Sequence, residues 1–132
     1  LNVINTAGNS KIHIDSAKFK RVFGNIFSNS IKHFTDREKI IDVNISSDKK
    51  KVYINIADSG DGVAEEKLDI IFEPLYTSDE GRKVAGLGLA ICREIIDSHG
   101  GKIYARPSEY GGLEICIEID RSDKKTSIFS NN

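Results

Sequence analysis

Cysteine is scarce in this 132-residue sequence, and the sequence contains no long apolar run. The two cysteines, Cys92 and Cys116, both lie in apolar stretches, and their spacing fits neither a metal site nor a redox motif. We therefore expect two buried thiols in a reducing compartment, which favours the cytoplasm. The sequence also has no signal peptide and no membrane-spanning segment, so we expect no direct membrane contact by this chain.

Neither sign of charge is in excess, since the chain carries 19 basic and 20 acidic residues. This balance provides neither a dedicated basic surface nor an acidic tail, so we expect no nucleic-acid partner. A chain of this length forms one ordinary domain and buries roughly two thirds of the surface that its unfolded form exposes. We therefore expect a stable core without a disulfide or a metal.

Hydrophobic periodicity divides the chain into strands and helices. Residues 1–10 are polar and mixed, and we interpret them as a linker or edge segment. Residues 11–15 alternate and predict a short strand. A long helix is predicted from an N-cap at Asp15 and Ser16 to about Phe34. Its predicted buried face consists of Phe19, Val22, Phe23, Ile26, Phe27 and Ile31.

The rest of the chain predicts two hairpins and two shorter helices. "IIDVNIS" and "KVYINIA" are strands joined by a polar turn, and "EEKLDIIF" is a short helix. Residues 87–99 are a helix that stops at a glycine pair, before the strands "KIYARP" and "GLEICIEID". This order predicts an α+β fold, a two-layer α/β sandwich whose mixed, mostly antiparallel sheet is covered on one face by about three helices. Residues 11–120 form this domain, and residues 121–132 are a polar tail.

A polar stripe runs along the first helix. At about 100° per residue, Asn25, Asn29 and Lys32 fall within about 60° of one another, beside the apolar face. Carboxamide oxygens suit Mg²⁺ that already carries phosphate oxygens, and a lysine one turn on can pair with a phosphate. The stripe is therefore a candidate pocket wall. A plain solvated face gives the same pattern, and both interpretations stay open at this point.

Two glycine-rich stretches follow. Asp58 opens "DSGDG" directly after a predicted strand and can accept a hydrogen bond from an exocyclic amine; we expect it to be partly exposed. Gly60 and Gly62 let the backbone approach a flat ring, although the same residues make ordinary turns. "GLGLAICREII" places Gly86 and Gly88 at the start of a helix, where backbone amides favour phosphate. It lacks the third glycine and the preceding strand of a dinucleotide fingerprint.

The order and spacing of these patterns are more specific than any one of them. "NIFSNSIKH", "DSGDG", "IFEPLYTSD" and "GLGLAICREIIDSHGGKI" resemble the N box, first glycine box, F box and second glycine box of sensor histidine kinases, in their catalytic and ATP-binding domain. The resemblance covers about residues 12–119. It implies the Bergerat fold of the GHKL ATPase superfamily, ATP and Mg²⁺ as cofactors, and a flexible ATP lid over residues 73–85.

The resemblance assigns roles to individual residues. Asn29 corresponds to the Mg²⁺ ligand, Asn25 to its companion near the phosphates and Lys32 to a phosphate contact, so these three are the catalytic candidates. Asp58 corresponds to the aspartate that binds the adenine amine. Either Arg82 or Lys83 would supply lid charge to the γ-phosphate. The full set of further ATP-binding candidates is His33, Gly60, Gly62, Val63, Phe72, Thr77, Ser78, Arg82, Lys83, Gly86, Leu87, Gly88 and Leu89.

Four positions depart from the family pattern. His33 stands where Tyr or Phe is common, and Leu75 replaces the second Phe of the F box. Val84 and Ala85 stand where Gly and Thr are common. We expect poorer cover of the nucleotide at His33, looser anchoring of the lid at Leu75 and one flexible point fewer in the phosphate turn.

The resemblance implies phosphoryl transfer from Mg-ATP to a histidine outside this chain, because none of its three histidines opens a phosphoacceptor motif. The expected partners are the dimerisation and histidine-phosphotransfer domain of the same protein and a response regulator receiver domain, in two-component signal transduction. One alternative is an ATP-hydrolysing GHKL relative or an anti-sigma-type serine kinase, in which a glutamate is expected at the place of Asn25. The other is a degenerate binding module without catalysis.

Overall fold

The computed structural model describes residues 1–34, 38–74 and 88–123. Five strands form one mixed sheet in the order β1-β2-β3-β5-β4. β1 pairs with β2 in parallel, and the other neighbouring strands are antiparallel. The strands are β1 (Asn2–Asn5), β2 (Ile41–Ser47), β3 (Lys51–Asp58), β4 (Lys102–Pro107) and β5 (Leu113–Asp120), and the α-helices in the described ranges are α1 (Ser16–Lys32) and α2 (Gly88–Ser98).

The core lies between the helices and one face of the sheet. Apolar side chains lie side by side across four strands on this face, at Val43, Ile56, Ile115 and Ala105. The next position on each strand points to the other face, where Asn44 pairs with Asn55. This alternation has the period of two that the sequence shows. The predicted two-layer sandwich with a mixed, mostly antiparallel sheet is confirmed.

Helix α1 begins at the predicted cap. Asp15 Oδ1 accepts a hydrogen bond from the backbone N–H of Lys18 at 3.0 Å, which satisfies one donor at the helix start. The prediction that Ile31 lies on the buried face is wrong, since its side chain is 61% exposed. Ile31 lies about 140° around the helix from Ile26, beyond the surface that the sheet covers. The buried residues of α1 are Phe19, Val22, Ile26 and Ser30.

Two predicted elements take another form. The segment "EEKLDIIF" forms two 3₁₀ turns, Glu65–Lys67 and Ile70–Phe72, so the described ranges contain two α-helices where about three helices were predicted. So short a segment is marginal as an α-helix. Residues 11–15 form no strand, and within them only Ile12 makes an isolated bridge, to Arg121. Their alternation arises because Ile12 and Ile14 pack against the core.

The two ends of the described chain add to the sheet. Residues 2–5, within the segment interpreted as linker or edge, form the edge strand β1 with all four residues exposed. The backbone N–H of Ser122 donates to the carbonyl of Lys11 at 2.8 Å. Residues 124–132 of the predicted tail lie outside the described residues, and the domain limits at residues 11 and 120 stay a prediction.

The two thiols are buried, as the sequence predicts. Cys92 is 0% and Cys116 1% exposed. Burial raises the pKa of each thiol to about 11, which keeps both protonated and weakly reactive at neutral pH. In the described ranges, no helix combines the length and the apolar character that crossing a bilayer requires.

Candidate functional site

Asp58, at the end of β3, is held from three sides. Its Oδ1 accepts hydrogen bonds from the backbone N–H groups of Gly60 and Leu113, each at 3.0 Å. Its Oδ2 accepts one from Ser30 Oγ at 2.7 Å. A carboxylate offers about four acceptor positions, so the described residues leave one position on Oδ2 for a ligand. The expectation of a partly exposed Asp58 is wrong, because α1 and the start of β5 close over it and leave it 4% exposed.

The first glycine box is packed against protein backbone. A Cβ at Gly60 would lie 2.8 Å from the carbonyl oxygen of His33, and the backbone N–H of Asp61 donates to the same oxygen at 2.9 Å. Gly62 has φ +74°, and a Cβ there would lie 3.1 Å from the carbonyl oxygen of Gly111. Glycine is therefore required here for contact with the end of α1 and with the β4–β5 turn.

Asn25 joins α1 to the start of α2. Its Nδ2 donates to the carbonyl oxygen of Gly88 at 3.2 Å. A Cβ at Gly88, the first residue of α2, would lie 3.8 Å from Cβ and Cγ of Asn25. The Asn25 amide also lies beside the Cys92 thiol, whose pKa it lowers against the larger effect of burial. Asn25 therefore holds the N box against the second glycine box.

The other N-box candidates occupy the last turn of α1. Asn29 is half-buried, and Lys32 is exposed. His33 is the C-cap, and its backbone N–H lies 3.3 Å from the carbonyl oxygens of both Asn29 and Ser30. The structure thus brings these three residues to the same end of α1 as the contact between Ser30 and Asp58.

Three further candidates lie in or against the core. Phe72 is 2% and Leu89 9% exposed, and Val63 is half-buried. The guanidinium of Arg93 lies 4.4 Å from the centre of the Phe72 ring, a cation–π distance. Their contacts with ATP stay a prediction. Outside the described residues lie Thr77, Ser78, Arg82, Lys83, Gly86 and Leu87, the departures at Leu75, Val84 and Ala85, and residues 75–85 of the predicted lid.

Sequence reasoning missed Ser30. On the helix it lies between Phe19 and Phe23 in direction, at the middle of the apolar arc. A polar residue in the middle of an apolar face needs a buried hydrogen-bond partner. The position of Ser30 in the sequence was therefore the signal that could have indicated its contact with another buried polar group. Gly112 and Leu113, which enclose Asp58 from β5, offer no comparable signal because their part in the site depends on strand pairing.

Comparison with known proteins identifies the family. The profile of the family described as histidine kinase-, DNA gyrase B-, and HSP90-like ATPase matches residues 14–123. The chain belongs to this family. The signal transduction histidine-protein kinase BaeS of Escherichia coli (strain K12) is 34% identical to it over 109 residues, which are 80% of this chain and 23% of BaeS. This chain therefore spans less than a quarter of that relative.

Solved structures place the chain among the kinases of the family. The catalytic domain of histidine kinase ThkA aligns with a TM-score of 0.78 and 30% identity, covering 91% of this chain and 78% of that chain. ThkA in complex with the response regulator protein TrrA aligns with a TM-score of 0.75 and 30% identity, covering 92% of this chain and 34% of that chain. The chain is a histidine kinase-type catalytic domain with the Bergerat fold, as the resemblance implied.

Proposed function

We propose that this domain binds Mg-ATP where the last turn of α1, the end of β3 and the start of α2 meet. The observation that carries the proposal is the buried Asp58 carboxylate, with one acceptor position left on Oδ2. A carboxylate attracts the 6-amino group of adenine and repels the 6-oxo group of guanine or hypoxanthine. Membership of an ATPase family supports the same ligand.

We further propose that the domain donates the γ-phosphoryl group of ATP to a histidine on a separate dimerisation and phosphotransfer domain. A ring nitrogen of that histidine attacks the γ-phosphorus, a nitrogen–phosphorus bond forms, the bond to the β–γ bridging oxygen breaks, and ADP leaves. In phosphoryl transfer the protein mainly positions the reacting groups and neutralises the charge of the phosphates. The contacts of Ser30 with Asp58 and of Asn25 with Gly88 provide positioning across three segments of the chain.

The residues present fit a magnesium ion that arrives with the nucleotide. Within the described ranges, no group of three His, Cys, Asp or Glu side chains could hold an ion alone. Mg²⁺ in nucleotide sites keeps phosphate and water oxygens and takes only one or two from the protein. Asn29 would supply one amide oxygen, with Asn25 beside it and Lys32 facing a phosphate. When bound, the ion would offset the negative charge of the phosphates.

The chemistry of Asn25 favours transfer to histidine over hydrolysis. A carboxamide cannot take a proton from water at neutral pH, and Asn25 stands where an ATP-hydrolysing relative or a serine kinase of the family is expected to carry a glutamate. Its amide is instead committed to the Gly88 carbonyl. We therefore favour the kinase over these two relatives.

The proposed pathway continues to a response regulator receiver domain in the cytoplasm. ThkA, 30% identical to this chain, has been solved in complex with the response regulator TrrA. The phosphohistidine of the partner domain would be the immediate donor to such a receiver. We propose no nucleic-acid partner, since the charges of the chain are balanced.

Titration calorimetry with a non-hydrolysable ATP analogue, with and without Mg²⁺, tests the binding step. We expect binding that strengthens with Mg²⁺. In Asp58→Asn, which presents an N–H group to the adenine amine or to its own backbone donors, we expect affinity to fall by about 100-fold or more. The matched control is Asp97→Asn, an exposed change of the same kind on α2, which should bind like the wild type.

The outcome separates the kinase domain from a degenerate binding module. Absence of binding up to millimolar nucleotide, with circular dichroism showing a folded chain, would overturn the proposal. Equal affinities of wild type and Asp58→Asn would remove Asp58 from the site. Transfer of labelled γ-phosphate to the phosphotransfer domain of the same protein then tests the second step.

A further inference from the structure

Ser30 makes the buried side-chain contact between the N box and the first glycine box. Its Oγ donates to Asp58 Oδ2 at 2.7 Å, and the two residues are 28 positions apart in the chain. Ser30 is 2% exposed and lies next to Asn29 on α1. Burying a hydroxyl among apolar side chains is unfavourable unless it is hydrogen-bonded, so this contact accounts for a serine at the centre of the apolar face.

The two oxygens of Asp58 are held by different kinds of donor. Oδ1 is held by the backbone N–H groups of Gly60 and Leu113. Among the described residues, Ser30 is the donor to Oδ2, the oxygen with a position left for a ligand. The torsion that turns a carboxylate plane has a broad energy profile. Without Ser30, therefore, the backbone donors would still anchor Oδ1, but the direction of the remaining lone pair on Oδ2 would be less well defined.

The Ser30 hydroxyl also determines whether this part of the site offers hydrogen-bond donors or acceptors to a purine base. Because the hydroxyl hydrogen of Ser30 is donated to the Asp58 carboxylate, Ser30 Oγ can act only as an acceptor towards a ligand. Asp58 and Ser30 together then form an edge that accepts hydrogen bonds and donates none. A 6-amino purine offers two N–H donors to such an edge, whereas a 6-oxo purine offers an oxygen that it repels.

We propose that Ser30 is a positioning residue that sets the preference of this domain for a 6-amino over a 6-oxo purine nucleotide. The inference rests on the proposed binding of ATP and adds a residue that acts through Asp58. It predicts that loss of the hydroxyl weakens discrimination between the two bases more than it weakens binding of the diphosphate that they share.

The test compares Mg-ADP with Mg-inosine diphosphate by calorimetry, because these ligands share the sugar and the diphosphate and differ only in the group at position 6 of the purine and in the proton that the 6-oxo base carries on N1. In Ser30→Ala we expect the ratio of the two affinities to fall by about tenfold relative to the wild type. Ser30→Thr keeps the hydroxyl and should restore most of the ratio. The control is Ser28→Ala, an exposed serine on the same helix, which should leave the ratio unchanged.

If Ser30 had a purely structural role, its replacement by alanine would weaken the binding of both nucleotides equally. An unchanged ratio of the two affinities in a folded Ser30→Ala variant therefore overturns the inference. If the Ser30→Ala variant is unfolded, the same ratio is measured in Ser30→Cys. A thiol keeps about the volume of the hydroxyl group but donates only a weak hydrogen bond to Asp58. Wild-type chain that binds neither ADP nor the ATP analogue overturns the proposed function and this inference together. Wild-type chain that binds the ATP analogue while Ser30→Ala keeps the full ratio overturns this inference alone.

Discussion

Gly112 limits the space around the Asp58 carboxylate. A Cβ at this position would lie 2.5 Å from the carbonyl oxygen of Asp58 and 2.6 Å from the backbone nitrogen of Gly60, and would also meet Asp58 Oδ1. Two of these atoms belong to the backbone, so no side-chain rotation can make room. We expect Gly112→Ala to lower the free energy of unfolding by about 2 kcal/mol or more.

Urea unfolding measures this loss, and calorimetry with the ATP analogue measures its effect on the site. Because the alanine methyl would displace the carboxylate, affinity should fall in a variant that is still folded. Gly24→Ala is the matched control, since a Cβ at Gly24 meets nothing within 4 Å. A Gly112→Ala variant with wild-type stability and affinity would show that the β5 backbone moves away easily, contrary to this prediction.

At the scale of elements, both ends of α2 are joined to α1, one to its middle and one to its start. Near the site, Asn25 donates to Gly88. At the other end, His99 Nε2 accepts from the backbone N–H of Asp15 at 3.0 Å, and its ring packs edge-on against Phe19 with 4.9 Å between centroids. Since Nε2 accepts, the ring hydrogen is on Nδ1 and is donated to the Ile95 carbonyl at 2.8 Å. The helix pair is therefore held as one layer.

An exposed glycine on α1 can be replaced by a residue that favours the helix more strongly. Gly24 is exposed in the interior of the helix, and glycine there loses more conformational entropy on folding than alanine does. We expect Gly24→Ala to raise the free energy of unfolding by about 0.5–1 kcal/mol. Urea unfolding tests the increase, and unchanged nucleotide affinity is the expected control result. A decrease would mean that helix propensity does not govern this position.

At the scale of the whole molecule, acid stability depends on carboxylates outside the site. Asp48, in the β2–β3 turn, accepts hydrogen bonds from the Tyr53 hydroxyl and from the backbone N–H groups of Lys50 and Lys51. These bonds lower the pKa of Asp48 from 3.8 to about 2. Because the pKa is lower in the folded state, their contribution to stability is present above about pH 4 and is lost as the pH falls towards 2.

We expect the urea midpoint of the wild type to fall between about pH 6 and about pH 2.5, and that of Asp48→Asn to fall by less. Part of the fall remains in the variant, because a hydrogen bond from Arg121 also lowers the pKa of Asp123 to about 2. Asp69→Asn is the control for loss of a charge, since its side chain makes no cap hydrogen bond. Equal falls in wild type and Asp48→Asn would contradict the prediction.

The fold was largely predictable where burial repeats along the chain. The strands from Ile41 to Asp58 and from Lys102 to Asp120 and the two α-helices agree with the predicted segments to within a residue or two at most ends, because period and caps are local signals. The short segments were less predictable. Residues 11–15 and 65–72 pack their apolar side chains against the core with little regular backbone pairing. Alternation or helical spacing in the sequence does not distinguish such segments from regular strands and helices.

The sequence by itself determined the order of the two α-helices and of strands β2 to β5, most of the buried face of α1 and the boxes that indicate the family, because these depend on residues close together in the chain. Only the tertiary structure decided the surroundings of Asp58. Its donors come from residues as far away as Leu113, 55 positions along the chain. Whether they reach one carboxylate depends on the register of β3 against β5 and on the position of α1 over the sheet, which local spacing does not encode.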